Sequence, residues 1–295
     1  MSYALYAKRI GLFLASLLFL AYVLAPVLWL VSSSLQREAN ITSVPPHWIP
    51  HPLTLSSYRA IFTAGDSSAA TGDNASFVPS TAQYLLPALR NSLIVAFAVV
   101  VLNLIVSVPA AYAMAKIRYI GRDLSVYFML ATRVIPDIAL VVPFFLFIRK
   151  LGLLDNLGAL IITYLAITVP FSVFMLLNYF ESLPDELDKA ARVDGCSRLQ
   201  TLLRVFLPLA LPSLVAVILF TFLASWNEFL FALMFTQTPA SQTIPIIVAS
   251  LTSDFTTSFS FINAAGVLAI VPPVIIAVLF ERYIVSGLTA GAVKG

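Results

Sequence analysis

The stretch LGALIITYLAITVPFSVFMLLNYF, residues Leu157–Phe180, contains no charged side chain. It exceeds the ~20 apolar residues that a helix needs to cross the hydrocarbon core of a bilayer. Five other stretches of similar length and apolar character flank it: Ile10–Val31, Asn91–Met114, Leu124–Ile148, Leu207–Phe235 and Phe261–Val285. The sequence therefore predicts an all-α integral membrane protein with six transmembrane helices.

Composition supports this prediction. Of the 295 residues, 60% are hydrophobic and 11% are charged, and the mean hydropathy is +0.96. Soluble domains carry about 25% charged residues. The net charge is only +3, and the basic residues are scattered between the apolar runs. Nucleic-acid binding, which requires a basic patch, is therefore excluded, and membrane lipid is the expected surrounding.

The distribution of lysine and arginine predicts the orientation, because cytoplasmic loops carry an excess of both. With the N-terminus inside, five basic residues lie in outer segments: Arg37, Arg59, Arg90, Arg149 and Lys150. Arg133 lies within a span, and eleven of the 17 lie in cytoplasmic segments: Lys8, Arg9, Lys116, Arg118, Arg122, Lys189, Arg192, Arg198, Arg204, Arg282 and Lys294. Both termini are therefore expected in the cytoplasm.

These spans and loops divide the chain into four regions. Residues 1–32 hold the N-terminus and first span, and residues 33–90 form an outer proline-rich loop. This loop contains an insert, 64–82, whose Gly, Ser, Ala, Asp and Asn content predicts flexibility and leaves its role open. Residues 91–286 form a five-span core that includes the long cytoplasmic loop 181–208, and residues 287–295 form a cytoplasmic tail.

The loop 181–208 is predicted to contain two short helices. Pro184, followed by two acidic residues, favours a helix start, and Gly195 favours a stop with a positive φ angle. A second helical stretch, Ser197–Val205, carries an apolar side. A short helix-turn-helix that projects from a membrane domain is suited to docking a soluble partner.

The same loop resembles the EAA signature of ABC-importer permeases. The resemblance rests on Lys189-Ala190-Ala191, Gly195, Val205 and Leu207-Pro208, with lysine at the family's glutamate position and valine at its isoleucine position. In that family the signature forms a coupling helix seated in a cleft of the ATPase subunit. The resemblance implies the following ATPase-coupling residues: Asp188, Lys189, Ala190, Ala191, Asp194, Gly195, Leu207 and Pro208.

The resemblance extends over nearly the whole chain. Arg149–Asp155 and Ser225–Leu230 are similar to segments of carbohydrate-importer permeases, and Arg282–Gly295 is similar to the tail of the maltose-type permease subunit. In that family the tail reaches the ATPase interface, which implies the same for Gly291, Lys294 and Gly295. The implied partners are a second permease subunit, an ATPase dimer and an extracytoplasmic sugar-binding protein, at a prokaryotic cytoplasmic (inner) membrane.

Polar groups fall within two of the predicted spans. Arg133 and Asp137 are four residues apart in the third span and are expected to share a helix face, whereas Asn227 and Glu228 lie in the fifth. Ionisable residues in spans usually face a cavity or a partner. Two interpretations stay open: the groups line the translocation path, or they form structural pairs.

Three classes of function compete: an ABC permease, a stand-alone secondary transporter and a membrane enzyme. The sequence has no Gly-x-x-x-x-Gly-Lys-Ser/Thr loop and no His-Glu-x-x-His motif. One cysteine and two histidines, His47 and His51, make a metal site improbable. We expect no catalytic residue or cofactor in this chain, with ATP and magnesium bound by a partner ATPase. The tail favours a disaccharide such as trehalose or maltose; the alternatives are a polyol, a monosaccharide or glycerol phosphate.

Overall fold

A computed structural model describes residues 2–63, 80–117, 119–252 and 259–292, and it describes residues 2–5, 7, 80 and 283–292 by their backbone alone. Most of the predicted flexible insert, 64–82, lies outside these ranges. Within them the regular structure is entirely helical. In chain order the helices are α1 (Ser2–Ser34), α2 (Glu38–Ile41), α3 (Ser56–Thr63), α4 (Leu85–Lys116), α5 (Arg122–Thr132), α6 (Asp137–Lys150), α7 (Leu157–Ser182), α8 (Asp185–Val193), α9 (Arg198–Thr201), α10 (Leu207–Leu209), α11 (Leu211–Trp226), α12 (Leu230–Phe235), α13 (Ile244–Leu251) and α14 (Phe259–Ala292).

The all-α integral membrane fold is confirmed. Four single helices, α1, α4, α7 and α14, are long and apolar enough to cross a bilayer. Two helix pairs, each bent at a short break, bring the number of spans to as many as six. These elements correspond to the six apolar runs of the sequence, and short 3₁₀ and π-helical segments cover Ser80–Tyr84 and Leu202–Phe206.

The third predicted span is not one continuous helix. Helices α5 and α6 meet at an angle of 97° across the break 133–136. Pro136 lacks an amide hydrogen and disfavours helical geometry at Ile135, which explains why the helix ends here. Arg133 is therefore the first residue of the break, and Asp137 is the first residue of α6 beyond it. The expectation that they share a helix face is wrong.

The fifth predicted span, Leu207–Phe235, is also divided. The segment Arg198–Leu209 meets α11 at 83°, and Pro212 at the start of α11 suits a new helix N-terminus. A second break follows Trp226, so that Asn227–Phe229 separate α11 from α12. The continuous part of this span is therefore Leu211–Trp226.

The chain forms two compact units. The first comprises residues 1–86 and 247–270, and the second comprises residues 87–246 and 271–295. Within the first unit, the Glu38 carboxylate accepts hydrogen bonds from the backbone amides of Phe259 and Ser260, at 3.0 and 3.1 Å. These bonds satisfy free amides at the first turn of α14.

The second unit contains two hydrophobic cores. One joins α4, α7, the π-helical segment and α11 around Tyr112, Phe180 and Phe206. The other joins α4, α6, α7 and α12 around Tyr164 and Phe231. The first core supports the long loop that carries α8, and the second lies beside the helix breaks.

Helix α14 continues to Ala292, so Gly291 lies in helical geometry. The predicted tail begins at residue 287 and is thus helical through Ala292. Lys294 and Gly295 lie outside the described residues, and the role of the tail at an ATPase stays a prediction.

Candidate functional site

Helix α8 has the limits that its sequence predicts. It starts after Pro184 and ends at Val193, and Gly195 has a φ of +82°, as expected. The amide of Gly195 donates to the Arg192 carbonyl at 3.1 Å, and that of Cys196 donates to the Ala191 carbonyl at 3.0 Å. These two bonds form a Schellman motif, which requires a left-handed residue and therefore favours glycine.

Helix α8 has one face that packs on the core and one that is exposed. Ala191 is buried, and Leu187 packs on the core around Tyr112. The opposite face exposes Lys189, Ala190 and Val193, with Val193 87% exposed. Only Ala190 of the two alanines is thus available for close approach by a partner, because Ala191 packs within the chain. Asp194 and Gly195 at the end of the helix are also exposed.

Side chains at the end of α4 hold α8 in place. The Tyr112 hydroxyl donates to the Asp188 carboxylate at 2.6 Å, and the Lys116 ammonium contacts Asp185 at 2.7 Å. The Arg122 guanidinium forms a further ion pair with Glu181. Sequence reasoning missed Tyr112 and Lys116. Their spacing of four residues at the end of an apolar run is a signal that they share a helix face.

The second arm of the loop begins with a capping box at Ser197 and Gln200. Its predicted apolar side is only partly buried. Leu202 and Phe206 are buried, whereas Leu199 and Leu203 are exposed. Leu207 is half-buried and Pro208 is exposed beyond the π-helical segment. This arm therefore anchors the loop on the core and returns the chain to α11.

The break between α5 and α6 borders a cavity of about 390 Å³. Arg133, Asp137 and Thr132 supply its polar lining. The Arg133 guanidinium donates to the carbonyl of Ile167 at 3.0 Å and lies 5.7 Å from the ring centre of Phe171. In the part of the chain that the structure describes, Arg133 and Asp137 form no ion pair with each other. Both side chains are exposed and can reach a ligand.

The break between α11 and α12 is organised by Glu228. Its carboxylate accepts from the amides of Phe231 at 2.8 Å and Ala232 at 3.1 Å, and from the Tyr164 hydroxyl at 2.6 Å. These three bonds cap α12 and tie it to α7. Asn227, the neighbouring residue, is exposed. The Glu228 carboxylate is thus bonded within the chain, whereas the Asn227 side chain is exposed.

The two breaks contact adjacent turns of α7. Glu228 meets α7 at Tyr164, and Arg133 meets it at Ile167. Three helical residues correspond to about 4.5 Å along the axis. Glu228 and Arg133 therefore contact nearby positions along the same helix, α7.

Asp155 fixes the turn between α6 and α7. Its carboxylate accepts from the amides of Gln237 at 2.8 Å and Thr238 at 2.9 Å, and from the hydroxyls of Thr238 and Ser241. Partial burial raises the pKa of the Asp155 carboxyl, but these hydrogen bonds outweigh burial and hold the pKa well below its usual range. Asp155 therefore joins this turn to the loop after α12.

Within the described ranges, no three His, Cys, Asp or Glu side chains come together as a metal site would require. The polar groups described above are instead suited to hydrogen bonding and to holding helices in register.

The chain is similar to known transport proteins. Residues 107–289 match the family described as the binding-protein-dependent transport system inner membrane component. A sulfoquinovosyl glycerol transport system permease protein of Agrobacterium fabrum is 36% identical over 96% of this chain and 93% of its own length. A trehalose/maltose transport system permease protein of Thermococcus litoralis is 36% identical over 98% of each chain.

One solved structure, a bacterial ABC transporter involved in the import of the acidic polysaccharide alginate, has a chain of the same fold. The TM-score is 0.76 at 25% identity, over 94% of this chain and 97% of that chain. The family match covers both helix breaks and the whole of the loop around α8. The chain belongs to the family of inner membrane components of binding-protein-dependent transport systems.

Proposed function

We propose that this chain is the permease subunit of an ATP-driven, binding-protein-dependent sugar importer. It forms half of the translocation path, a second permease subunit forms the other half, and an extracytoplasmic protein delivers the sugar. ATP and magnesium bind to a separate ATPase dimer. The exposed face of α8 carries this proposal, because it offers a rigid, membrane-anchored docking surface to a soluble partner.

The geometry of α8 supports the proposed coupling step. Lys189, Ala190 and Val193 face outward and enter the ATPase cleft, while Ala191 and Asp188 keep the helix against its own core. The motion of the ATPase during ATP binding and hydrolysis displaces α8. Both chain termini and this loop lie in the cytoplasm, in agreement with the distribution of lysine and arginine.

The open break at 133–136 is our candidate for the part of the path in this subunit. Its cavity of about 390 Å³ falls in the size range of small-molecule sites, about 300–1,000 Å³. Arg133 and Asp137 offer a donor and an acceptor to sugar hydroxyls, and Asn227 is a further exposed polar group. Glu228 acts structurally by holding α12.

The substrate is a sugar, in line with the substrates named for the two permease relatives and the alginate transporter. A disaccharide such as trehalose or maltose is our first choice, because the tail resembles that of the maltose-type subunit. Uptake of labelled trehalose, maltose, a polyol, a monosaccharide and glycerol phosphate into proteoliposomes decides among these classes. The preferred substrate is the one that also stimulates ATP hydrolysis when bound to its binding protein.

Affinity purification from the native membrane tests the assembly. We expect an ATPase, a second permease and a binding protein to co-purify with this chain. If the chain is recovered alone and still transports a solute under an ion gradient, it is a secondary transporter and the proposal is wrong.

A further inference from the structure

Two donor side chains lie on one face of α4 at its C-terminal end. Tyr112 and Lys116 are four residues apart and therefore adjacent on the helix surface. Tyr112 is 4% exposed, and so is the side chain of Lys116. Each buries its stem in the core beneath the loop and directs its polar end at α8.

The position of the Tyr112 hydroxyl is fixed by packing. Its ring makes edge contacts with Phe206 and Phe180, with ring centres 5.2 and 6.3 Å apart. The hydroxyl donates to Asp188 at 2.6 Å, within the short range of hydrogen bonds to a carboxylate. A buried donor, whose ring packs on two aromatic side chains, thus contacts the middle of α8.

The Lys116 ammonium holds the start of α8. It donates to the Leu183 carbonyl at 2.8 Å and to Asp185 at 2.7 Å, and it lies 5.7 Å from the ring centre of Phe206. Asp185 and Asp188 are one turn apart, about 4.5 Å along the helix. Two fixed points separated along a helix restrict its tilt as well as its position.

We propose that Tyr112 and Lys116 are positioning residues that make α8 and the end of α4 move as one body. Displacement of α8 is then carried into a membrane span instead of being absorbed at the connection Leu183–Pro184. The inference rests on the proposed function of α8 as the coupling helix, and it assigns the transmission of the displacement to particular contacts within this chain.

The Tyr112–Asp188 and Lys116–Asp185 contacts differ in how exposed their carboxylates are. Asp188 is half-buried, whereas the side chain of Asp185 is 70% exposed. An ion pair that involves a solvated carboxylate contributes little to stability, so we expect the Tyr112 bond to dominate. We expect Tyr112→Phe to have the larger effect and Lys116→Met the smaller one.

The test compares Tyr112→Phe with Tyr127→Phe in the complete reconstituted complex. Tyr127 is 69% exposed on α5, so it serves as a matched loss of one hydroxyl. We expect equal amounts of co-purified ATPase in both variants. Transport per ATP hydrolysed should fall about tenfold in Tyr112→Phe, equivalent to about 1.4 kcal/mol, and remain unchanged in Tyr127→Phe.

Substitution of the acceptor, Asp188, distinguishes an effect of the hydrogen bond from an effect of side-chain packing. Asp188→Asn keeps an oxygen that can accept the Tyr112 hydroxyl, whereas Asp188→Leu removes it. We expect partial coupling in the asparagine variant and little in the leucine variant. Adding Tyr112→Phe to Asp188→Leu should cause no further loss, because the bond is already absent.

Three results would overturn the inference: normal transport per ATP in Tyr112→Phe, loss of the ATPase from that complex, or additive losses in the double variant. A parallel Gly195→Val complex distinguishes this failure from failure of the proposed function. If Gly195→Val uncouples transport and Tyr112→Phe does not, α8 is the coupling helix but Tyr112 does not position it. If neither variant has an effect, the proposed role of α8 is itself wrong.

Discussion

The breaks at 133–136 and 227–229 interrupt two membrane spans, but the charged groups at the two breaks differ in exposure and in hydrogen bonding. Glu228 receives three hydrogen bonds from its own chain, from two amides of α12 and from Tyr164. Arg133 and Asp137 remain exposed beside a cavity and do not form an ion pair with each other. The two breaks thus differ in how many hydrogen bonds the chain itself supplies: the Glu228 carboxylate accepts three, whereas the Arg133 guanidinium donates one, to the Ile167 carbonyl.

This difference predicts which charged residues contribute to stability and which contribute to transport. A carboxylate that caps a helix contributes to the folded state, whereas an exposed guanidinium beside a cavity is available to a substrate. A charged residue in a span is therefore a functional candidate only when the fold leaves part of its bonding capacity free.

The largest expected effect comes from Glu228→Ala. The substitution leaves two amides and the buried Tyr164 hydroxyl without their acceptor, which should lower the free energy of unfolding by about 3 kcal/mol. Folded yield in detergent, measured by fluorescence-detected size exclusion, should fall severalfold. Asn227→Ala is the matched control, because Asn227 is the exposed neighbour. Equal yields for the two variants would show that Glu228 is not a structural cap.

Arg133→Ala should have a smaller and different effect. Because Arg133 has no ion-pair partner in Asp137, its loss should leave the folded yield unchanged and lower uptake of the substrate severalfold. Asp137→Ala should behave in the same way. Yield and uptake are measured in parallel for both variants and for the double variant. A low yield for Arg133→Ala that Asp137→Ala restores would instead establish a structural pair.

The smallest expected effect comes from Asp155→Asn, outside the spans. The pKa of Asp155 is lower in the folded state than its unfolded value of about 3.9, so the carboxylate stabilises the fold above that pH. This contribution is lost as the pH falls through the folded pKa. Wild type should therefore be slightly more heat-stable than the variant at pH 7. Its advantage should begin to shrink only below about pH 4.

Thermal unfolding of both proteins between pH 7 and pH 3 measures this difference. Asp123→Asn, at a side chain that is 82% exposed, is the control. An equal advantage at all pH values would contradict a role for the Asp155 charge.

The sequence predicts those parts of the fold that depend on local chemistry. Apolar runs longer than 20 residues locate the spans, and Pro184 and Gly195 locate both ends of α8. A glycine after an amphipathic helix predicts a positive φ because other residues are strained there. These features need no knowledge of distant residues.

The remaining features depend on contacts between residues far apart in the chain. Tyr164 lies 64 residues from Glu228, and Tyr112 lies 76 residues from Asp188. Pro136 is visible in the sequence, but the contact of Arg133 with Ile167 on another helix is not. Pattern and spacing therefore identified the polar residues without separating the structural ones from the open ones.

We propose that α8 couples this membrane subunit to an ATPase, and the Gly195→Val variant tests this role. No atom lies within 4 Å of a Cβ added at Gly195, so the effect arises from its φ of +82° and not from a clash. The strain of about 1–2 kcal/mol should tilt the end of α8, while the six spans still insert. We expect normal membrane abundance, but ATP hydrolysis that no longer rises with loaded binding protein. Normal stimulation with normal uptake would contradict the assignment of α8 as the coupling helix.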